Sequence, residues 1–381
     1  MVMRAHIIYP NFFNKDGNGM SVGGVQTYLV NLIHLLKSKG FNISFYQTAN
    51  YDFDIENDGV DIHAFFWNSR KNCLKDISKF LYEKCKTSLL EDDIVIFGAD
   101  SLIIKTDCKR TIGIQHGISW DIPQCKTNKS EFAYFKVYCK KAYYAWKCIK
   151  CINHAEKIVC VDYNFVNWYR ALVPFQQTNL VVIPNFTEVP IERKKQTKSN
   201  DKIRIIFARR FFTYRGTRLF ADSIERILNK YKNIEVTFAG EGPDEKYIKT
   251  KFENNNNVII TRYKSEESLV IHQKHDIAVV PTIGSEGTSL SLLEAMASGC
   301  AVICSNVGGM SNIVLDRYNG LMIDPYDEDS LFEALEKLLN NVELRCKLSE
   351  QAYLTVKDSF SIEIWKEKWD KVINDIITKE V

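Results

Sequence analysis

The sequence runs to 381 residues, of which 45% are hydrophobic and 25% charged; these proportions belong to a folded globular protein and exclude a disordered, collagen-like or fibrous chain. Its 50 basic and 47 acidic residues leave a formal charge of +3, too balanced to make nucleic acid the main partner. The length predicts two or three domains. No apolar run reaches the ~18 residues that span a bilayer. The 11 cysteines, an odd number in a chain whose start does not read as an export signal, are expected to stay reduced in the cytosol.

In chain order, residues 4–9 read as a buried strand, followed by a loop holding Gly17, Gly19, Gly23 and Gly24. Residues 25–37 place Val25, Leu29, Leu32, Ile33 and Leu36 at helical spacing, and Gly40 stops the helix. Short apolar strands are expected at 43–47, 62–66, 94–98, 111–115, 158–161 and 180–183. Asp52-Phe53-Asp54, with Glu56 and Asp58 beside it, reads as a solvated acidic loop rather than a metal pair. Residues 126–150 interleave Lys126, Lys129, Lys136, Lys140, Lys141, Lys147 and Lys150 with Phe132, Tyr134, Phe135, Tyr138, Tyr143, Tyr144 and Trp146, and Glu131 is the only acid. Such a helix either lies on an anionic membrane surface or packs its rings inside the domain with its lysines in solvent. Cys148, Cys151 and His154 share a helical face, but a zinc site needs a fourth ligand and no second C-x-x-C exists, so ordinary thiols are the preferred reading.

Residues 187–202 are polar and carry Pro190, as a linker would. The pattern then restarts, with strands expected at 203–208, 235–239, 258–261, 277–280, 301–304 and 321–323, helices at 217–230 and 289–298, and an amphipathic helical tail at 362–379. Short apolar strands alternating with helices imply parallel sheets covered on both faces. The fold class is therefore α/β, with two doubly wound domains whose ligands bind beyond the carboxyl ends of the strands.

The chemistry concentrates in residues 276–309, D-I-A-V-V-P-T-I-G-S-E-G-T-S-L-S-L-L-E-A-M-A-S-G-C-A-V-I-C-S-N-V-G-G. A buried strand ends at Pro281, a loop holds Gly284, Glu286 and Gly287, and a helix opens near Thr288, Ser289 and Leu290. Free backbone N–H groups at that helix start, with the helix dipole, make an anion site suited to phosphate. Glu286 and Glu294 stand eight positions apart, so one can bind hydroxyls in front of the helix and the other beside it. Two isolated glutamates would ordinarily be solvated carboxylates; the strand–loop–helix setting argues for function.

The stretch E-G-T-S-L-S-L-L-E-A-M-A-S-G-C-A-V-I resembles the E-x7-E segment of the GT-B glycosyltransferases of family 4, which use nucleotide sugars and retain anomeric configuration. Gly23-Gly24-Val25-Gln26 is similar to that family's N-terminal glycine loop, Ile114-Gln115-His116-Gly117 to its strand-end His-Gly, and Ile183-Pro184-Asn185 to the segment entering the interdomain linker. Residues 208–216 (A-R-R-F-F-T-Y-R-G) resemble its G-R-L-x-x-x-K-G segment, and Ala239-Gly240-Glu241-Gly242-Pro243 its G-x-G-P turn. Val307-Gly308-Gly309 and Asn319-Gly320 complete the series. The resemblance implies GT-B architecture: a Rossmann-like acceptor-side domain over 1–188 and a Rossmann-like nucleotide-sugar donor domain over 189–360, facing a cleft. A C-terminal helix over 361–381 packs back on the first.

It also implies roles. Glu286 would hold a sugar hydroxyl and Glu294 the ribose. Gly287, Thr288, Ser289 and Leu290 would present backbone to the diphosphate, Gly23 and Gly24 would approach it from the other domain, and His116 would stand near the donor sugar. Arg210 and Arg215 align with the family's Arg and Lys that neutralise the departing diphosphate. The family's first Gly is here Arg209 and its Lys is Arg215; arginine keeps the charge and can grip phosphate with two N–H groups, and either Arg209 or Arg210 can point inward. Asp162 stands where many relatives carry Ser and receives no role. Gly240 and Tyr263 fall where the nucleotide is expected, and Trp120 and Asp121 are acceptor candidates.

The expected activity is metal-independent transfer of a sugar, with retention, from a nucleotide-diphosphate sugar to a glycan or lipid-linked acceptor of cell-envelope polysaccharide synthesis. The nucleotide sugar is a co-substrate, and no metal or other cofactor is expected. The expected location is cytoplasmic, on the inner face of an anionic membrane. The rival readings are a nucleotide-sugar 2-epimerase or phosphorylase of the same plan, and a non-catalytic nucleotide-sugar- or glycan-binding protein.

Overall fold

The computed structural model describes residues 3–21, 23–68, 73–122, 131–174, 179–196 and 202–378. Lys126 and Lys129, and part of the expected linker, lie outside the described residues. The chain forms two compact units, one of Met1–His116, Lys129–Ile183 and Lys366–Val381, the other of Gly117–Asn128 and Pro184–Trp365.

Among the described residues the first unit is built on eight strands: β1 (Arg4–Ile8), β2 (Asn42–Ala49), β3 (Phe53–Asn57), β4 (Val60–Phe66), β5 (Ile94–Phe97), β6 (Thr111–Gln115), β7 (Lys157–Cys160) and β8 (Leu180–Val182). They lie in the order β3-β4-β2-β1-β5-β6-β7-β8. β1 pairs in parallel with both β2 and β5, so the strand order reverses there as in doubly wound sheets. β5 and β6 are buried at every residue, which is why they read as unbroken apolar runs. The helix Gly24–Ser38 buries Tyr28, Leu29, Leu32, Ile33, Leu35 and Leu36. Trp369 of the helix Ile362–Thr378 belongs to the same unit and donates its indole N–H to the Tyr28 hydroxyl at 2.8 Å.

The acidic segment around Asp54 is not a loop. It is the edge strand β3, paired antiparallel to β4. Asp58 and Gly59 both have positive φ, 49° and 65°, as a two-residue hairpin turn requires. The strand is polar because it is a solvated edge; Asp54 meets His63 Nδ1 at 2.6 Å and Asp52 accepts from the Phe66 N–H at 2.5 Å.

The described residues of the second unit carry six parallel strands, β9 (Ile203–Ala208), β10 (Ile234–Ala239), β11 (Val258–Thr261), β12 (Ile277–Val280), β13 (Ala301–Ser305) and β14 (Leu321–Ile323), in the order β11-β10-β9-β12-β13-β14. Successive residues of each central strand feed opposite cores. Ile205, Phe207, Ile277 and Val279 pack with Phe220, Ile224 and Leu335 on one face. Ile206, Ala208, Ala278 and Val280 pack with Leu292, Leu293 and Met296 on the other. The helix Thr217–Lys230 lies on the first face and Leu290–Ala297 on the second. The order reverses between β9 and β12, and the carboxyl ends of these two strands carry the residues that follow.

Candidate active site

The centre of the site is the Glu286 carboxylate, on the loop between β12 and the helix Leu290–Ala297. Arg209, one residue past β9, donates from Nη2 to Glu286 Oε2 at 2.8 Å and from Nη1 to the Thr282 hydroxyl. Arg215 Nη1 donates to the same Oε2, and Thr282 Oγ1 stands 3.4 Å from it. All three of these side-chain contacts fall on Oε2, leaving Oε1 without a partner among the described residues. Burial alone would push the Glu286 carboxyl up, but the Arg209 and Arg215 charges outweigh it and hold the carboxyl below its ordinary range. Both guanidiniums stay charged in any protein setting. Two guanidiniums against one carboxylate leave an excess of one positive charge in a largely buried place.

Backbone geometry adds to that charge. Ser289 is the N-cap of Leu290–Ala297 and makes no capping bond, which leaves first-turn N–H groups for an anion. The loop ahead of the helix is fixed from two sides. Asn185 donates its backbone N–H to Thr288 Oγ1 at 3.0 Å and its side-chain amide to the Thr288 carbonyl at 2.5 Å. The Gly309 N–H donates to the Glu286 carbonyl at 2.9 Å. Gly308, at φ 51°, lies so close that a Cβ would overlap that carbonyl. Gly216, at φ 82°, likewise leaves no room for a Cβ beside the Pro281 carbonyl, and so brings Arg215 to the end of β12.

Glu294 lies within the helix, about one turn in from its start. Its Oε2 accepts from the Ser268 hydroxyl at 2.5 Å, and burial pushes its carboxyl up. The Tyr263 hydroxyl donates to the Ala208 carbonyl at 3.3 Å, and burial and the nearby Glu294 raise its pKa. Gly240 follows β10 and receives the strand-end pairing, its N–H donating to the Thr261 carbonyl at 2.9 Å.

Arg210 is the expected residue that the structure moves. Its side chain is exposed and stacks over Phe212, 5.5 Å from the ring centroid. Arg209 reaches Glu286 instead. The reason is the chain path: the Arg209 and Phe211 N–H groups bond to the Ala239 and Glu241 carbonyls, so Arg209 and Phe211 turn inward and Arg210 faces solvent. Thr282, Ser268 and Asn185 also join the site; Thr282 and Asn185 sat in stretches legible beforehand, and Ser268 did not.

Trp120 and Asp121 belong to the second unit, on a segment that touches the Glu286 loop. Ser285 Oγ donates to the Ile118 carbonyl, and a Cβ on Gly117 would stand 3.0 Å from the Gly287 N–H. Gly23, Gly24 and His116 lie in the first unit. Gly23 is the N-cap of Gly24–Ser38. His116 Nε2 donates to the Gly98 carbonyl at 2.9 Å, which leaves Nδ1 as the acceptor; burial pushes its pKa down to about 4, so the ring is neutral at physiological pH. Cys148 Sγ donates to Asp100 Oδ2 at 3.5 Å rather than to Cys151 or His154. Among the described residues no three metal-ligating side chains come together.

Residues 188–355 match the family model described as glycosyl transferases group 1. An uncharacterized glycosyltransferase of Methanocaldococcus jannaschii is 22% identical over 97% of this chain and 98% of its own. The capsular polysaccharide biosynthesis glycosyltransferase CapM of Staphylococcus aureus is 25% identical over 49% of this chain and 50% of its own. Staphylococcus aureus TarM, solved in complex with fondaparinux, alpha-GlcNAc-glycerol and UDP, superposes with a TM-score of 0.71 at 14% identity, covering 99% of this chain and all of that one. The chain thus has the GT-B fold of two Rossmann-like domains, and its residues 188–355 match the model of the glycosyl transferases of group 1.

Proposed function

We propose that the protein is a retaining glycosyltransferase that moves a sugar from a nucleoside-diphosphate sugar to a glycan or lipid-linked acceptor of cell-envelope polysaccharide, at the inner face of the membrane. The observation that carries the reading is the pair of guanidiniums on one oxygen of Glu286 beside an uncapped helix start. The capsular role in the name of CapM supports the acceptor class, and the UDP in the TarM complex supports a nucleoside-diphosphate donor.

Departure of the diphosphate from the anomeric carbon builds negative charge on phosphate and positive charge on the sugar ring. Arg209, Arg215 and the first-turn N–H groups of Leu290–Ala297 stabilise the first charge, with no metal needed. Glu286 Oε1 takes a sugar hydroxyl and orients the ring; Glu294 takes the ribose. Gly23, Gly24 and His116 are assigned to the diphosphate and sugar by the family resemblance, and the first unit to the acceptor. The acceptor hydroxyl attacks from the face the diphosphate leaves, and the leaving phosphate takes its proton. No protein carboxylate then serves as nucleophile.

The test is donor turnover with radiolabelled UDP-, GDP- and ADP-sugars and membrane glycolipid extracts, with and without EDTA. Transfer to the extract at a rate unchanged by EDTA is the expected result. Loss of transfer in EDTA would remove the metal-independent mechanism, and conversion of the donor without acceptor would make the protein an epimerase.

A further inference from the structure

We infer that the helix Glu131–Ile152 of the first unit is the surface by which the protein docks on an anionic lipid bilayer, lying flat in the headgroup region. The inference deepens the membrane location proposed above and rests on it.

Of the 22 residues of this helix only Cys148 and Ile152 are buried. Phe132, Phe135, Tyr143 and Trp146 are exposed to 64%, 59%, 56% and 57%. On a wheel of 3.6 residues per turn these four fall within an arc of about 80° that also holds Lys150; Lys136, Lys140 and Lys147 fall within ~60° beyond it, and Lys141 lies on the anchored side. Cys148 and Ile152 lie on the opposite side, so the face that anchors the helix in its unit points away from the aromatic stripe. Five lysines and one glutamate give the helix a strong positive charge. No described carboxylate pairs with Lys136, Lys140 or Lys147; Lys136 Nζ lies instead 4.6 Å from the Phe132 ring centroid, and Lys150 Nζ 4.9 Å from that of Trp146.

A row of exposed rings edged by lysines suits the boundary between headgroups and acyl chains, where aromatic rings are amphipathic anchors and lysines meet anionic phosphate. A second copy of the chain fits less well, because the buried core of a protein interface is poor in lysine and two such helices would repel each other. No helix among the described residues is long and apolar enough to cross a membrane, so the contact proposed is one of surface docking.

The experiment is co-sedimentation of the full-length protein with vesicles of equal phosphatidylglycerol and phosphatidylcholine, and with phosphatidylcholine alone, at two salt concentrations. Wild type should sediment with the anionic vesicles and be released by salt. The triple variant Lys136→Glu, Lys140→Glu, Lys147→Glu should bind on the order of 100-fold more weakly, from about fivefold per lysine. The variant Phe135→Ser, Tyr143→Ser, Trp146→Ser should bind at least about 10-fold more weakly. All the altered side chains are exposed except the part-buried Lys147, and an unchanged melting temperature checks the fold of both variants. Wild-type affinity in both variants overturns the assignment of this helix while leaving the membrane location intact. Failure of wild type to bind either vesicle overturns both. A wild-type dimer that the serine variant converts to monomer assigns the stripe to a second copy instead.

Discussion

Replacing Glu286 with alanine should abolish sugar transfer and spare nucleotide binding. The carboxylate is the acceptor group of its cluster, and with the sugar-hydroxyl role proposed for Oε1 its loss should lower kcat by about 1000-fold, the scale of removing a preorganised polar group from a reacting centre. The same change removes the one negative charge between Arg209 and Arg215. Two largely buried guanidiniums left without a counter-charge should lower the stability of the free protein by about 3 kcal/mol. A nucleoside diphosphate supplies the missing charge, so the thermal shift on adding it should be larger in the variant than in wild type. Steady-state transfer rates and paired melting curves check both halves. Near-normal turnover would remove Glu286 from the reaction.

Arg209 and Arg210 should behave very differently despite being neighbours. Arg209→Ala and Arg215→Ala should each lower kcat/KM by about 100-fold, because each removes a guanidinium from the place where leaving-group charge develops. Arg210→Ala should change it less than about threefold, the effect of an exposed charge stacked on a surface ring. The family pattern alone points to Arg210, because Arg209 stands where the pattern has glycine. The structure fills that position with a side chain that is 8% exposed and bonded to both Thr282 and Glu286. Kinetics on the three single variants decide between them, and a large loss in Arg210→Ala with little in Arg209→Ala would assign Arg209 a structural role.

Much of the fold was legible because parallel strands buried on both faces are continuous apolar runs. The runs at Ile203–Ala208, Thr111–Gln115 and Ile277–Val280 match the observed strands residue for residue. What escaped was β3, whose exposed edge position makes it polar; the Asp58-Gly59 turn was the available signal. The loop-then-helix setting of Glu286 and Glu294 could be read because glycines at a strand end followed by helical spacing have few other meanings. The partners of the two glutamates could not. Arg209 turns inward because its N–H is bonded to the Ala239 carbonyl, and Ser268 reaches Glu294 from another helix across 26 positions of sequence. Such contacts are set by how strands stack in space, and spacing along the chain carries no trace of them.

The most direct test of the central claim, that the second unit holds a nucleoside diphosphate without metal, is a thermal-shift titration in EDTA with UDP, GDP, ADP and CMP on wild type and Glu294→Ala. A single nucleoside diphosphate should raise the melting temperature of wild type, with a stabilisation of about 2.7 kcal/mol at a hundred times its Kd, and Glu294→Ala should lose that shift. No shift with any of the four nucleotides in a folded wild-type protein would contradict the account.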